Sequence, residues 1–382
     1  MSKYSIAFLI LAVSYGGAAS GALPASESAG TDQAQPLRVG VIGMVHDHVR
    51  GLLERAPTGD IQIVGIAEAN RSLAREYSRR YRYDMNMVYP SIEAMIEATH
   101  PEAVSAFNPI YDHLKTVEIC APKGIHVMVE KPLAVNWEHT RKMVALAKRY
   151  NIHLLTNYET TWYGSNADAY KIVNQDRRIG DITKILFHTG HQGPIEIRCR
   201  KEFTDWLTDP VMNGAGALND FGCYGANLAT WLMKGATPVT VSCVTQQLKP
   251  DVYTKVDDEA TIVLAYPKAQ VIIQASWNWP YGRKDMTVYS KSGYVFCKNG
   301  QDMEILTSGR QNPVSQQAGP LPPGASDAFT FLARVVRNHA EVEPFSPSSL
   351  DNNTIAMQIL DAAKHAAQTG QTVVWNDYYR QD

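Results

Sequence analysis

The run HVMVEKPLAV, residues 126–135, is an apolar stretch that ends in an acid, a base and a ring, Glu130, Lys131 and Pro132. A second group lies in GAGALNDFGCYGANLATWLMKG, residues 214–235, where helical spacing places Asp220, Tyr224 and Asn227 on one face. Such a stripe is either the wet side of a helix or part of a site. If it is a site, these residue types suit proton exchange with a hydroxyl or carbonyl oxygen. A free tyrosine titrates near pH 10, too high for a base, and a lysine ammonium within about 4 Å could bring it down by up to roughly three pH units. Asp220 could orient the hydroxyl or the lysine, and Glu130 could steady Lys131 by charge pairing. Lys131 and Tyr224 can both hydrogen-bond one oxygen, so the spacing leaves open which of them moves the proton.

The elements that must position these groups follow from the pattern of apolar runs. Runs at 37–43, 61–67, 103–107, 126–129 and 153–156 alternate with amphipathic stretches such as 91–98, 113–122 and 137–150, which predicts a parallel sheet with crossover helices. Beyond about residue 182 the runs lengthen and follow one another at 182–188, 238–246, 258–265, 269–277, 285–290 and 293–297, with Tyr266, Pro267 and Lys268 as a hairpin turn. A closing helix at about 352–368, ended by Gly370, leads into a last strand, TVVW. The fold class expected is α/β: an N-terminal Rossmann dinucleotide-binding domain over 37–158, then an α+β domain over 159–382 with a large open, mostly antiparallel sheet.

The first strand-to-helix turn reads VGVIGMVHDHVRGLL, where a dinucleotide fold wants G-x-G-x-x-G. Counting from Gly43, through Met44, the second glycine position holds Val45 and the third His48, so the fingerprint is degenerate. Glu68, at the end of the second strand, is the acid expected to accept the ribose hydroxyls. It would repel a 2′-phosphate by roughly 4 kcal/mol at about 4 Å and an effective dielectric near 20, which favours NAD over NADP. Arg71 and Arg75 oppose that preference. Ligands of open parallel sheets bind outside the carboxyl ends of the strands, so Glu130 and Lys131 emerge where a nicotinamide would lie. Pro132 stops the strand and fixes the Lys131–Pro132 step, cis or trans.

Strand, acid, lysine and proline in this place resemble the Glu-Lys-Pro motif of the glucose-fructose oxidoreductase, inositol dehydrogenase and MocA family. The preceding PEAVSAFNPIYDHLKTVEICAPKGI carries the same pattern, with Asn108-Pro109 after a strand, His113 opening a helix and Gly124 before the next strand. Asp220 and Tyr224 are similar to the Asp-x-x-x-Tyr form found in its glucose-fructose oxidoreductase and dihydrodiol dehydrogenase branch. The resemblance implies NAD bound by Gly43, Met44, Val45, His48, Glu68, Asn108, His113 and Glu130. It also implies catalysis by Lys131, Tyr224 and Asp220 on a hydroxyl or carbonyl carbon of a sugar or sugar derivative, and a homodimer or homotetramer. A redox-neutral glycoside-cleaving enzyme and a non-catalytic sugar-binding homologue are the alternatives.

Aromatic residues that could pack on sugar C–H faces lie in NYETTWY (Tyr158, Trp162, Tyr163) and WNWP (Trp277, Trp279), and of these Tyr158, Trp162 and Trp277, with His191 and Asn227, form the candidate substrate set. Core packing competes for each. His46, Asp47 and His48 in a turn are poor geometry for a shared ion unless distant ligands join, so no metal is expected. The five cysteines have no C-x-x-C spacing and read as small core residues. A net charge of −2 without a basic run excludes a nucleic-acid partner. Lys3, the apolar run from Ile6 to Val13 and the small residues after it read as a signal peptide over 1–22, followed by a polar tether over 23–36. Cleavage would leave an exported, periplasmic or extracellular protein with no membrane span.

Overall fold

Short runs rich in Val, Ile and Ala, buried on both faces, build the first sheet. The computed structural model describes residues 35–55, 59–322 and 324–380, so the expected signal peptide and the tether as far as Ala34 lie outside the described residues. Strands β1 (Leu37–Ile42), β2 (Ile61–Ala67), β3 (Val88–Tyr89), β4 (Ala103–Ala106), β5 (His126–Glu130) and β6 (Leu154–Asn157) run parallel in the order β3-β2-β1-β4-β5-β6. The order reverses at β1, and the crevice at such a switch point is where a dinucleotide fold binds its ligand. The crossover helices start at side-chain caps: Asn70 accepts from the N–H groups of Ser72 and Leu73, and Asn136 from that of His139. The short β3 stands beyond the runs that the sequence pattern picks out.

The second sheet contains β7 (Ile182–Gly190), β8 (Thr240–Gln246), β9 (Glu259–Ala265), β10 (Gln270–Ser276), β11 (Arg283–Ser290), β12 (Tyr294–Cys297), β13 (Asp302–Leu306), β14 (Val314–Gln317) and β15 (Val373–Val374), in the order β14-β13-β12-β11-β7-β10-β9-β8-β15. All its pairings are antiparallel except that of β7 with β10. At the predicted turn the Tyr266 N–H donates to the Ala269 carbonyl at 2.8 Å, closing the β9–β10 hairpin. Two expectations need correction. The sheet continues through β13 and β14, and the run TVVW is extended only at Val373 and Val374, after which Trp375 opens a short helix to Tyr378.

Strand alternation gives this sheet one covered face. Ile185, Phe187, Ile262, Leu264, Val271 and Ile273 are buried, whereas Leu186, Val263, Ile272 and Phe296 on the opposite face stay half-exposed. The helices Gly222–Leu232 and Leu350–Thr369 pack on the covered side, and the apolar core runs without a break from Val104 and Val127 of the first sheet into this layer. Four of the five cysteines are buried and Cys199 is half-buried.

Candidate active site

β5 brings Glu130 to the carboxyl edge of the first sheet, and the cis Lys131–Pro132 bond follows it. The helix Ala217–Asp220 arrives from the second half of the chain. Its last residue meets the lysine: Lys131 Nζ donates to Asp220 Oδ1 at 2.6 Å and to the Asp220 carbonyl at 2.9 Å. Each side chain of this ion pair is only 7% exposed. Trp277 Nε1 donates to Asp220 Oδ2 at 2.9 Å, so both carboxylate oxygens have donors. Burial pulls the Lys131 ammonium down, but the charge and hydrogen bond of Asp220, together with the nearby Cys223 and Glu130, hold Lys131 above its ordinary value. Burial raises the Asp220 carboxyl, and Lys131 more than reverses that, leaving Asp220 below its ordinary value. Both groups are therefore charged at neutral pH.

Tyr224 lies beside this pair, with Lys131 Nζ at 5.0 Å and Lys284 Nζ at 4.9 Å from its ring centroid. No hydrogen bond joins its hydroxyl to Lys131 or Asp220 among the described residues. Burial, reinforced by the charge of Glu159, pushes the phenol well above its ordinary value, opposite to the expected lowering by a lysine. Tyr224 is thus a neutral phenol, able to donate a hydrogen bond to a ligand and not suited to act as a base.

Other expectations are redirected. Glu130 does not pair with Lys131: its Oε2 contacts His48 Nδ1 at 2.8 Å and its Oε1 accepts from Asn157 Nδ2 at 2.7 Å. Asn227 leaves the stripe, because the helix breaks at Phe221 before Gly222–Leu232 begins. Its side chain donates to the Pro347 carbonyl at 2.8 Å and to Asn353 Oδ1 at 3.1 Å, tying two helices together away from Asp220. Trp277 is fully buried and supports Asp220 through its indole N–H, leaving no ring face for a sugar. Tyr158 is fully buried too, with its ring edge-on to Tyr224 at 5.6 Å. Trp162 donates from Nε1 to Asn157 Oδ1 at 2.9 Å and borders a cavity of about 790 Å³ with His48 and Asn157. His191 borders a second cavity of about 610 Å³, together with Glu159, Tyr163 and Lys284.

Glu159 and Lys284 are the functional candidates that sequence reasoning missed. They form an ion pair, Tyr163 donates to Glu159 Oε1 at 2.5 Å, and Glu159 borders both cavities. Burial raises the Glu159 carboxyl, but Lys284 outweighs that and holds it below its ordinary value. Alternation within β11 was the one available signal, since it places Lys284 on the covered face with Met286 and Val288.

The residues expected to hold a dinucleotide line the switch point. Gly43 has φ +72°, and a Cβ there would lie 2.8 Å from the Asn108 backbone, so the β1 turn fits against the end of β4 only as glycine. Met44 is buried, Val45 packs beside it, and the bulky His48 stands just before the helix Val49–Leu53 without a side-chain capping bond. Glu68 directly follows β2, accepts the Asn70 N–H at 2.7 Å and is raised by burial. Asn108 Oδ1 and His113 Nε2 are buried without a hydrogen-bond partner among the described residues, while His113 Nδ1 meets the Leu133 carbonyl at 3.1 Å. Burial brings His113 down to about 4, so it is neutral. Two unsatisfied polar atoms, a glycine-only turn and a carboxylate on the ribose side fit a dinucleotide. Arg200 of the second half bridges to Glu76 through two bonds of 2.6 and 2.7 Å, with its guanidinium 5.2 Å from the Tyr77 ring centroid.

Comparison with known proteins agrees with this arrangement. Residues 37–158 match the model of an oxidoreductase family with an NAD-binding Rossmann fold, and residues 169–296 match the GFO/IDH/MocA C-terminal domain. The chain is 26% identical over 233 residues to trans-1,2-dihydrobenzene-1,2-diol dehydrogenase of Sus scrofa, a match covering 60% of this chain and 65% of that protein. With the Bos taurus enzyme of the same name the identity is 25% over 302 residues, 77% of this chain and 83% of the relative. The fold is similar to that of aldose-aldose oxidoreductase from Caulobacter crescentus complexed with glycerol, with TM-score 0.75, 22% identity and coverage of 89% of this chain and 99% of that one.

Proposed function

The chain belongs to the GFO/IDH/MocA family of NAD-binding oxidoreductases, and from that premise we propose that it moves hydride between a nicotinamide and the hydroxyl or carbonyl carbon of a sugar, a polyol or a related diol. The observation that carries this reading is the buried Lys131–Asp220 pair at the carboxyl end of β5, 2.6 Å between Nζ and Oδ1. Bound NAD would be held by Gly43, Met44, Val45, His48, Glu68, Asn108, His113 and Glu130, and supplies the hydride acceptor or donor.

The chain's own residues handle the proton. In the direction of reduction the Lys131 ammonium donates to the carbonyl oxygen as that oxygen gains negative charge. Asp220 keeps its charge throughout and fixes the ammonium in place, and Trp277 fixes Asp220. Tyr224 donates a hydrogen bond to the same oxygen. In oxidation the roles reverse, and Lys131 must enter the step as the amine. The cavity bordered by His191, Tyr163 and Lys284 is where the substrate enters, with Glu159 and Lys284 as hydrogen-bonding groups for further hydroxyls.

The reading extends to an exported protein, with residues 1–22 removed as a signal peptide, and to a homodimer or homotetramer in which a second copy covers the half-exposed sheet face. No helix among the described residues is long and apolar enough to cross a membrane.

The test is to denature the purified protein and analyse the supernatant for a nicotinamide dinucleotide, then titrate NAD into protein that released none. A protein that neither carries nor binds NAD ends the proposal. With NAD bound, polyols and glycosides are assayed for both nicotinamide absorbance change and aglycone release. Cleavage without net reduction would replace the dehydrogenase reading with a redox-neutral one.

A further inference from the structure

The turn HDH is poor metal geometry on its own, but the fold brings a third ligand to it from β5. One donor atom each of His46, His48 and Glu130 lie within 4.8 Å of one another. His48 Nδ1 and Glu130 Oε2 are 2.8 Å apart, a hydrogen-bond contact, and would separate to roughly 3.4 Å as neighbouring ligands of a tetrahedral cation at about 2.1 Å from each. His46 and Glu130 are buried, at 2% and 1% exposure, while His48 is half-exposed beside the cavity of about 790 Å³.

The outer contacts hold these groups as metal ligands are commonly held. Asn157 Nδ2 occupies Glu130 Oε1 at 2.7 Å and turns Oε2 toward His48, and Trp162 Nε1 in turn fixes Asn157 at 2.9 Å. The His46 ring is packed edge-on against Phe203 at 5.2 Å and lies 5.8 Å from the Trp206 ring. Its one hydrogen bond among the described residues is a long one, 3.2 Å from the His48 N–H to Nδ1, which holds the tautomer only weakly.

We propose that His46, His48 and Glu130 form a site for a divalent transition-metal cation of the zinc and cobalt type. Two imidazoles and one carboxylate are a donor set suited to such ions rather than to calcium or magnesium. Three protein ligands leave coordination positions open toward the cavity at His48, where water completes the shell. The cation joins the glycine-poor turn after β1 to the end of β5.

The test uses tag-free full-length protein, stripped with a chelator and titrated with Co²⁺ by calorimetry while the visible spectrum is recorded. The expected result is one equivalent bound, with ligand-field absorption that Zn²⁺ abolishes on displacement. His48→Ala, which removes a half-exposed ring, and Glu130→Gln should each weaken binding by more than the roughly 10–100-fold that loss of an outer contact costs, and Asn157→Ala should fall within that range. His188→Ala, a histidine elsewhere, should leave it unchanged. Parent protein that binds no stoichiometric Co²⁺, or a folded His48→Ala protein that binds as tightly as the parent, overturns the site and leaves only a His48–Glu130 hydrogen bond. No nucleotide or sugar enters this measurement, so its failure is separate from failure of the dehydrogenase reading.

Discussion

Trp277 donates its indole N–H to Asp220 Oδ2 at 2.9 Å, leaving Oδ1 to the Lys131 ammonium at 2.6 Å. The tryptophan thus sets the rotation of the carboxylate on which the lysine rests. Trp277→Phe keeps the ring and removes the donor. The expected loss is about 1.5–3 kcal/mol of stability, typical of a hydrogen bond to a charged group, measured by urea denaturation. Turnover should fall with it, since the lysine is held less firmly.

Removing the lysine should separate binding from chemistry. Lys131→Met takes away the proton donor, and turnover should drop by roughly 10²–10⁴-fold. NAD affinity, read by calorimetry, should change little. The variant also strands a buried carboxylate, so Lys131→Met/Asp220→Asn should be more stable than Lys131→Met alone.

The pH dependence has a definite sign. Lys131 is raised in the folded state, so its contribution to stability is full below the unfolded lysine value and is lost as pH rises through the folded one. Asp220 is lowered, so its contribution is present above the unfolded carboxyl value and is lost as pH falls through the folded one. Between about pH 5 and 9 the pair should contribute a constant amount, read as the stability difference between the parent and Lys131→Met/Asp220→Asn. Oxidation needs the amine, so its rate should still be climbing at pH 9 while reduction holds steady near neutrality.

Glu68 sets the choice between the two nicotinamide cofactors. Glu68→Ala should reduce the preference for NAD over NADP by up to about three decades, since the charge repulsion removed is roughly 4 kcal/mol. Dissociation constants of both cofactors, measured side by side, give the ratio.

Gly43→Ala should cost more than about 1 kcal/mol, because φ +72° disfavours any side chain and the new Cβ would press on the Asn108 backbone at 2.8 Å. Thermal unfolding and NAD affinity should fall together.

Legibility in the sequence followed the range of the interactions involved. The parallel sheet and the end of β5 were readable because alternation of strand and helix is local, and Glu-Lys-Pro at a strand end is a contiguous signal. Asp220 and Tyr224 were readable from one short segment. Asn227 was misplaced because helical spacing assumes an unbroken helix, and the break at Phe221 turns it toward Pro347. Trp277 and Tyr158 were read as sugar platforms, but an aromatic next to a site looks the same in sequence whether it faces the ligand or supports the residue that does. Glu159 and Lys284 meet across 125 positions, and His48 and Glu130 across 82, distances over which spacing carries no information.

β11 lies against β7 with Lys284 opposite Thr189 and Asp285 opposite His188. Successive residues of a strand face opposite ways, so a slip of a single position would send Lys284 to the open face and put Arg283 or Asp285 beside Tyr224. Asp285 in that place would stand an anion next to Glu159. The connection over residues 277–282 thus acts as a parity switch: its length, odd or even, decides whether Lys284 or one of its neighbours meets the substrate.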